Sequence, residues 1–117
     1  MTILEQDIQS ELNQFTGTGR YWRYGSLNLT DGVHFLAEKC RCFWLIDSIL
    51  LAQSRFPKLK DFQLWTLDVQ ENKSATLSLF KDTDKLVWTH KISHTDFPLT
   101  TIKLYCINDV LLLPSEY

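Results

Sequence analysis

The chain has 117 residues, of which 44% are hydrophobic, 13% aromatic and 22% charged, and this composition is typical of one globular domain. A chain of this length can bury a core large enough to fold, so it does not depend on disulfides or a structural metal for stability, as very small domains do. Its formal net charge of −2 gives no overall attraction to nucleic acid or to an anionic membrane, and it has no apolar run of the ~18 residues that span a bilayer.

The N-terminal segment predicts an amphipathic helix of about three turns. Thr2 and Glu5 fit a capping box, and the apolar residues that follow recur at helical spacing up to Phe15. The glycines at 17 and 19 end this helix. Because the first residues have neither a basic start nor an apolar core, we expect no secretory signal and a cytoplasmic protein.

Residues 20–60 predict a short strand and then helix. A strand is expected around 26–29, and in the turn Thr30-Asp31-Gly32 we expect Asp31 to cap the next helix, with Thr30 as the alternative. Residues 33–56 contain neither glycine nor proline, so they form one long helix or two helices that meet at Cys40-Arg41-Cys42. The second half is apolar nearly all round, which predicts a central buried helix that ends before Pro57.

After residue 60 the apolar period changes to two, which indicates strands. Turn-rich segments separate them, and residues 110–114 are expected to add a last extended piece. The economical arrangement is an α+β domain over residues 1–117, in which about three helices from residues 1–60 pack on one four-stranded antiparallel meander from residues 61–117. The four predicted strands are Phe62 to Val69, Ala75 to Phe80, Leu86 to Ile92 and Thr101 to Ile107.

Several short sequence motifs in the chain resemble those of a known family. They are Phe15-Thr16-Gly17-Thr18, Thr30-Asp31-Gly32-Val33, Leu36-Ala37-Glu38, Trp44-Leu45-Ile46-Asp47 and the ending Leu112-Leu113-Pro114-Ser115-Glu116-Tyr117. Through these motifs the chain resembles a family of small uncharacterised proteins from bacteria, their plasmids and phages, which is classed as a domain of unknown function. The resemblance covers nearly the whole chain and implies a single domain, with no activity, ligand or catalytic residue to carry over.

Asp47 stands out because, in one continuous helix, it projects into an otherwise apolar stripe with Cys40, Trp44 and Leu51. A buried carboxylate needs a partner, and Arg20, Arg23 or a tyrosine hydroxyl would suit by type. Two interpretations stay open. Asp47 is either a structural tie to the loop at 20–24 or the carboxylate of a small pocket.

The stretch Arg20-Tyr21-Trp22-Arg23-Tyr24 places two guanidinium groups among three aromatic rings. Single-strand nucleic-acid binders use this chemistry, with rings for base stacking and cations for phosphates. A core-filling loop has the same composition. In a strand, Tyr21 and Arg23 would face away from the other three residues, which divides the patch and disfavours nucleic acid as a partner.

Residue types for metal, cofactor or covalent chemistry are scattered. The three histidines lie apart, Cys40 and Cys42 are separated by one residue, and Gly17-x-Gly19 lacks the remainder of a nucleotide-binding motif. We therefore predict no metal site, no cofactor and no catalytic residue, and we interpret the three cysteines as reduced packing residues.

Three functional hypotheses follow. The leading one is a binding module for a protein partner or a second copy of the chain, because four tryptophans and seven phenylalanines exceed what so short a core requires. The second is a small-ligand binder or minor enzyme with Asp31, Asp47 and either Arg20 or Arg23 around a pocket between the helices and the sheet. The third is single-stranded nucleic-acid binding through residues 20–24, with affinity that falls steeply with salt.

Overall fold

The computed structural model describes residues 3–117 as three helices on one face of a seven-stranded mixed sheet. Within this range, no helix is long and apolar enough to cross a bilayer. Short 3₁₀ turns cover Gln53–Arg55, Pro57–Leu59 and Pro114–Glu116. The helices are α1 (Ile3–Asn13), α2 (Asp31–Lys39) and α3 (Phe43–Ala52).

Helix α1 confirms the predicted N-terminal helix and buries Ile8 and Leu12, each of which is 2% exposed. Leu4 also belongs to the predicted apolar face but points to solvent and is 58% exposed. The predicted capping box depends on Thr2, which lies outside the described residues.

The sheet contains more strands than the four predicted. All four predicted strands are present within one residue of their expected bounds, and the extended piece after residue 109 is a strand as well. Two short strands from the N-terminal half complete the sheet, and one of them confirms the strand expected around 26–29. The strands are β1 (Trp22–Tyr24), β2 (Leu27–Leu29), β3 (Gln63–Val69), β4 (Ala75–Phe80), β5 (Leu86–Ile92), β6 (Thr101–Ile107) and β7 (Val110–Leu112).

The strand order is β1-β2-β7-β6-β3-β4-β5, with β2 and β7 parallel and every other pair antiparallel. The expected simple meander is therefore wrong at its last step, because β6 pairs with β3 and not with β5. Residues 93–100 carry the chain back across the sheet and bury Phe97 and Leu99 on the way. Strand β3 becomes central and strand β5 becomes an edge strand.

The segment 33–56 forms two helices, because the chain turns at Arg41 with φ of +51°. This value lies in the left-handed region, which an α-helix does not contain. The turn resets the direction of the side chains in α3, so its residues do not continue the apolar stripe of α2. Helix α3 is also not buried all round, since Leu51 is 74% exposed.

The N-terminus of α2 is held by the C-terminal segment of the chain. Thr30 is the N-cap and its hydroxyl accepts from the Val33 N–H at 3.3 Å, so the expected cap by Asp31 is wrong. Glu116 accepts from the Thr30 hydroxyl at 2.6 Å and from the Gly32 N–H at 3.1 Å. A carboxylate at a helix N-terminus satisfies free amides and complements the helix dipole.

The core lies between the helices and one face of the sheet. Side chains from all three helices form one cluster with alternate residues of the central strands, including Trp65, Leu77 and Leu104. The opposite face carries Leu64, Phe80 and Tyr105, where Leu64 is 6% exposed and the Tyr105 ring packs 5.1 Å from that of Tyr117. The described chain is therefore an α+β structure with its helical layer on the core face of the sheet.

Candidate functional site

The aromatic and basic residues at 20–24 do not form one continuous patch. Arg20 lies 3.8 Å from the centre of the Trp22 ring, and His34 stacks on the same ring at 3.7 Å with an interplanar angle of 3°. Two groups at these distances cannot share one side of an indole, so both faces of Trp22 are occupied. Tyr21 is 58% exposed, and Arg23 is exposed on the same side of β1.

Asp31, in the first turn of α2, forms hydrogen bonds with Gly19 and Trp22 of the preceding segment. Its carboxylate accepts from the Trp22 Nε1–H at 3.0 Å and from the Gly19 N–H at 2.8 Å. The bond from Trp22, followed by that from Gly19, holds the pKa of Asp31 below its usual value of 3.8. An open cavity lies beside it between Trp22, His34 and Lys39, but His34 contacts Glu38 at 2.9 Å and Lys39 contacts Glu11 at 3.7 Å.

Asp47 is exposed, and the prediction that it lies buried in an apolar stripe is wrong. The left-handed turn at Arg41 is the physical reason, because it breaks the continuous helix on which that prediction depended. The Tyr24 hydroxyl donates to Asp47 at 2.5 Å, so the expected tyrosine partner is present. This bond, followed by burial and the negative charge of Asp47, raises the pKa of Tyr24.

The predicted site residues therefore separate into two clusters. Arg20, Trp22 and Asp31 form one, Tyr24 and Asp47 form the other, and Tyr21 and Arg23 belong to neither. Among the cavities described for residues 3–117, none is lined by Asp47. The acid and basic groups in both clusters are already engaged with protein partners.

A row of three cavities that sequence reasoning missed lies along the edge strand β5, and we call this row the β5 groove. One wall is a face of α3 and the other is the helix-facing side of β5. Its central part is lined by Ser48, Leu51, Ala52, Arg55, Trp88 and His90. A second cavity lies at the Ile92 end of β5 and is lined by Cys40, Arg41, Trp44, Ile92, His94, Thr95, Asp96 and Phe97. A third lies at the Val87 end and is lined by Arg55, Phe56, Pro57, Lys58, Leu59, Lys81 and Val87.

Buried polar and aromatic contacts fix the two walls of the β5 groove relative to each other. Gln53, directly after α3, exchanges two hydrogen bonds of 2.9 Å with Gln63 of β3, which is 1% exposed. The Trp65 Nε1–H donates to Gln63 at 2.8 Å, and the Trp65 ring meets Trp88 edge-on at 6.1 Å. The central part of the groove is therefore preformed.

The alternation of hydrogen-bonded and non-bonded residue pairs between β3 and β4 shows which backbone groups of β5 have no partner in the sheet. The Gln70 N–H donates to the Ser74 carbonyl at 2.7 Å, which makes these residues a bonded pair between β3 and β4. Bonded and non-bonded pairs alternate in an antiparallel ladder. Ala75, Leu77 and Leu79 therefore direct their backbone groups away from β3 and toward β5.

The residues of β5 opposite them are Ile92, His90 and Trp88, which direct their backbone groups back toward β4. Thr89 and Lys91 lie between them and consequently direct N–H and C=O groups out of the sheet. Within residues 3–117 no strand pairs with this side of β5. A row of unpaired backbone N–H and C=O groups is a template for the pairing of another extended chain.

The β5 groove is positively charged although the whole protein is negative. Its lining contains four cations, Arg41, Arg55, Lys58 and Lys81, and one carboxylate, Asp96. Asp96 is already 3.6 Å from Lys73 and 3.4 Å from His94. The four cations have no ion-pair partner among the described residues, whereas the whole chain has a net charge of −2.

The strand sequence does contain a signal for this edge position. On its helix-facing side β5 presents Trp88, His90 and Ile92, whereas the same side of β4 presents Ala75, Leu77 and Leu79. A histidine between two apolar residues fits an edge strand better than a central one. The strand order was needed to interpret that signal.

Metal and thiol chemistry have little support in the described residues. No group of three histidine, cysteine or acidic side chains among residues 3–117 is placed to hold a metal ion. Burial raises the pKa of Cys40 to about 11 and the pKa values of Cys42 and Cys106 to about 12. These thiols are therefore protonated near neutral pH and poorly nucleophilic.

A family model described as a family of unknown function (DUF6876) matches residues 6–117. No curated protein and no solved structure matches the chain.

Proposed function

The chain belongs to the family of unknown function DUF6876, and from its surface we propose that it is an interaction module that binds an extended segment of a partner protein along β5. The observation that carries this function is the free edge of β5 beside a preformed groove. The added segment pairs with the outward backbone groups of Thr89 and Lys91 and inserts alternate side chains into the β5 groove. Recognition by strand addition combines main-chain affinity with side-chain pockets.

The edge is suitable for such an addition. Strand β5 has seven residues, contains no proline and carries one formally charged side chain, Lys91. Edge strands that avoid pairing are usually short, interrupted by proline or rich in charge. The irregularity between Leu79 and Phe80 confines the distortion to one end of the strand and leaves the rest regular.

A separate partner fits this edge better than a second copy of the chain. Two copies paired through β5 would bring two positively charged grooves together, and like charges that face each other across an interface reduce affinity. The three unpaired cysteines support action in the reducing cytoplasm.

The test compares Thr89→Pro with Thr89→Ala. Both substitutions remove an exposed hydroxyl, but only proline also removes the outward N–H, and proline is tolerated at an edge where that N–H faces solvent. Random ten-residue peptides are selected on the parent protein, and the affinities of selected peptides for all three proteins are measured by fluorescence anisotropy. Thermal unfolding of each variant checks that it is folded.

We expect the parent and Thr89→Ala to bind the selected peptides equally and Thr89→Pro to bind them at least ~10-fold more weakly, which is ~1.4 kcal/mol. Equal binding by a folded Thr89→Pro protein, or the selection of no binding peptide, would refute strand addition at this edge. A parent protein that is dimeric while Thr89→Pro is monomeric would also overturn the proposal, because a second copy would then occupy the edge.

A further inference from the structure

Resting on the proposed function, we infer that the β5 groove selects an extended segment with acidic side chains at two positions and an apolar side chain between them. Because side chains of an extended segment alternate, the three positions that face the groove are two residues apart.

Three of the four cations are placed at the two ends of the groove. Arg41 lies at the end where β5 finishes with Ile92, together with Asp96, which is already 3.6 Å from Lys73. Lys58 and Lys81 lie at the other end, beside Val87, and Arg55 lies between that end and the centre. Each end therefore presents at least one cation without an ion-pair partner to a side chain that enters the groove there.

The centre of the groove is apolar on its helical wall. Leu51 is 74% exposed there, next to Ala52 and opposite Trp88. Leu51 therefore offers apolar surface that a partner side chain in the groove can cover. The cavity has a volume of about 220 Å³ at this point, which accommodates one aliphatic side chain.

The cations of the groove are available because the protein does not neutralise them. Among residues 3–117, neither Arg41, Lys58 nor Lys81 lies within 4.0 Å of a carboxylate. Arg55 lies over the Trp88 ring at 5.8 Å, which keeps its guanidinium beside the groove. An acidic segment gains attraction at both ends and a faster encounter, whereas a basic segment is repelled.

The test uses three synthetic decapeptides that differ only at two positions. The central five residues are Glu-Thr-Val-Thr-Glu in the first, Gln-Thr-Val-Thr-Gln in the second and Lys-Thr-Val-Thr-Lys in the third. Their affinities for the parent protein are measured at low and at physiological salt. The double variant Arg41→Gln with Arg55→Gln tests the groove, and Arg23→Gln, on the opposite edge strand, is the matched control.

We expect the glutamate peptide to bind at least ~10-fold more tightly than the glutamine peptide at low salt, and the lysine peptide to bind more weakly still. The double variant should reduce that preference to less than ~3-fold, while Arg23→Gln leaves it unchanged. Thr89→Pro should weaken binding of the glutamate peptide.

The outcomes separate the two proposals. If library-selected peptides bind in a manner that Thr89→Pro abolishes but the glutamate peptide has no advantage, strand addition stands and the acidic specificity is wrong. If the glutamate peptide binds the parent and Thr89→Pro equally, it adsorbs by charge alone and both proposals fail. An advantage that persists in the double variant also refutes the assignment of specificity to the β5 groove.

Discussion

Gly32→Ala should destabilise the protein, although glycine to alanine within an exposed helix ordinarily stabilises by about 1 kcal/mol. A Cβ at position 32 would lie 2.6 Å from Leu113 Cδ1 and 2.7 Å from Glu116 Oε1. Leu113 is 2% exposed, and Glu116 accepts hydrogen bonds from Thr30 and from Gly32 itself. Neither neighbour can withdraw without losing packing or a hydrogen bond.

The magnitude follows from opposing contributions to the free energy of unfolding. Overpacking a buried site costs about 1–3 kcal/mol, and a lost hydrogen bond to a charged group adds about 1.5 kcal/mol. The higher helix propensity of alanine offsets about 1 kcal/mol of this cost, so the free energy of unfolding is expected to fall by about 1.5–3.5 kcal/mol. The unfolding entropy of a chain this long is about 0.25 kcal/mol/K, which converts that loss into a fall in Tm of about 6–14 °C.

The assay is thermal unfolding followed by calorimetry, with Gly17→Ala as the matched control. A Cβ at Gly17 would meet nothing within 4 Å, so its Tm should stay within about 2 °C of the parent value. In a double-mutant cycle, Glu116→Ala should relieve part of the cost of Gly32→Ala. A Gly32→Ala protein whose Tm is raised, or shifted no more than that of Gly17→Ala, would contradict a steric clash at position 32.

Two further predictions concern the acidic residues. Asp47→Asn should lower Tm by less than about 4 °C, because an exposed pair contributes about 1 kcal/mol or less, and a fall of about 10 °C would contradict the exposed position of Asp47. The lowered pKa of Asp31 stabilises the fold above its unfolded value of 3.8, and this contribution is lost as pH falls through the lower folded pKa. The Tm of the parent should therefore fall further than the Tm of Asp31→Asn between about pH 5 and pH 3. Parallel profiles of Tm against pH would refute this role of Asp31.

Local patterns were sufficient for most elements of the fold. The alternation in residues 63–107 predicted four strands to within one residue, because each strand has one face against the core. The helices followed from apolar spacing and from the turn at Thr30, although the choice between Thr30 and Asp31 as cap required the contact with Glu116. Periodicity and turn chemistry are properties of neighbouring residues, so the sequence contains them directly.

Tertiary structure decided where those elements lie and what their side chains meet. The left-handed conformation of Arg41 moved Asp47 from an expected buried stripe to the surface. The crossing after β5 placed β6 beside β3, which left β5 as a free edge with cations from α3 and its flanking segments beside it. These outcomes depend on pairing between residues far apart in the chain, and local periodicity is the same whichever strand becomes the edge.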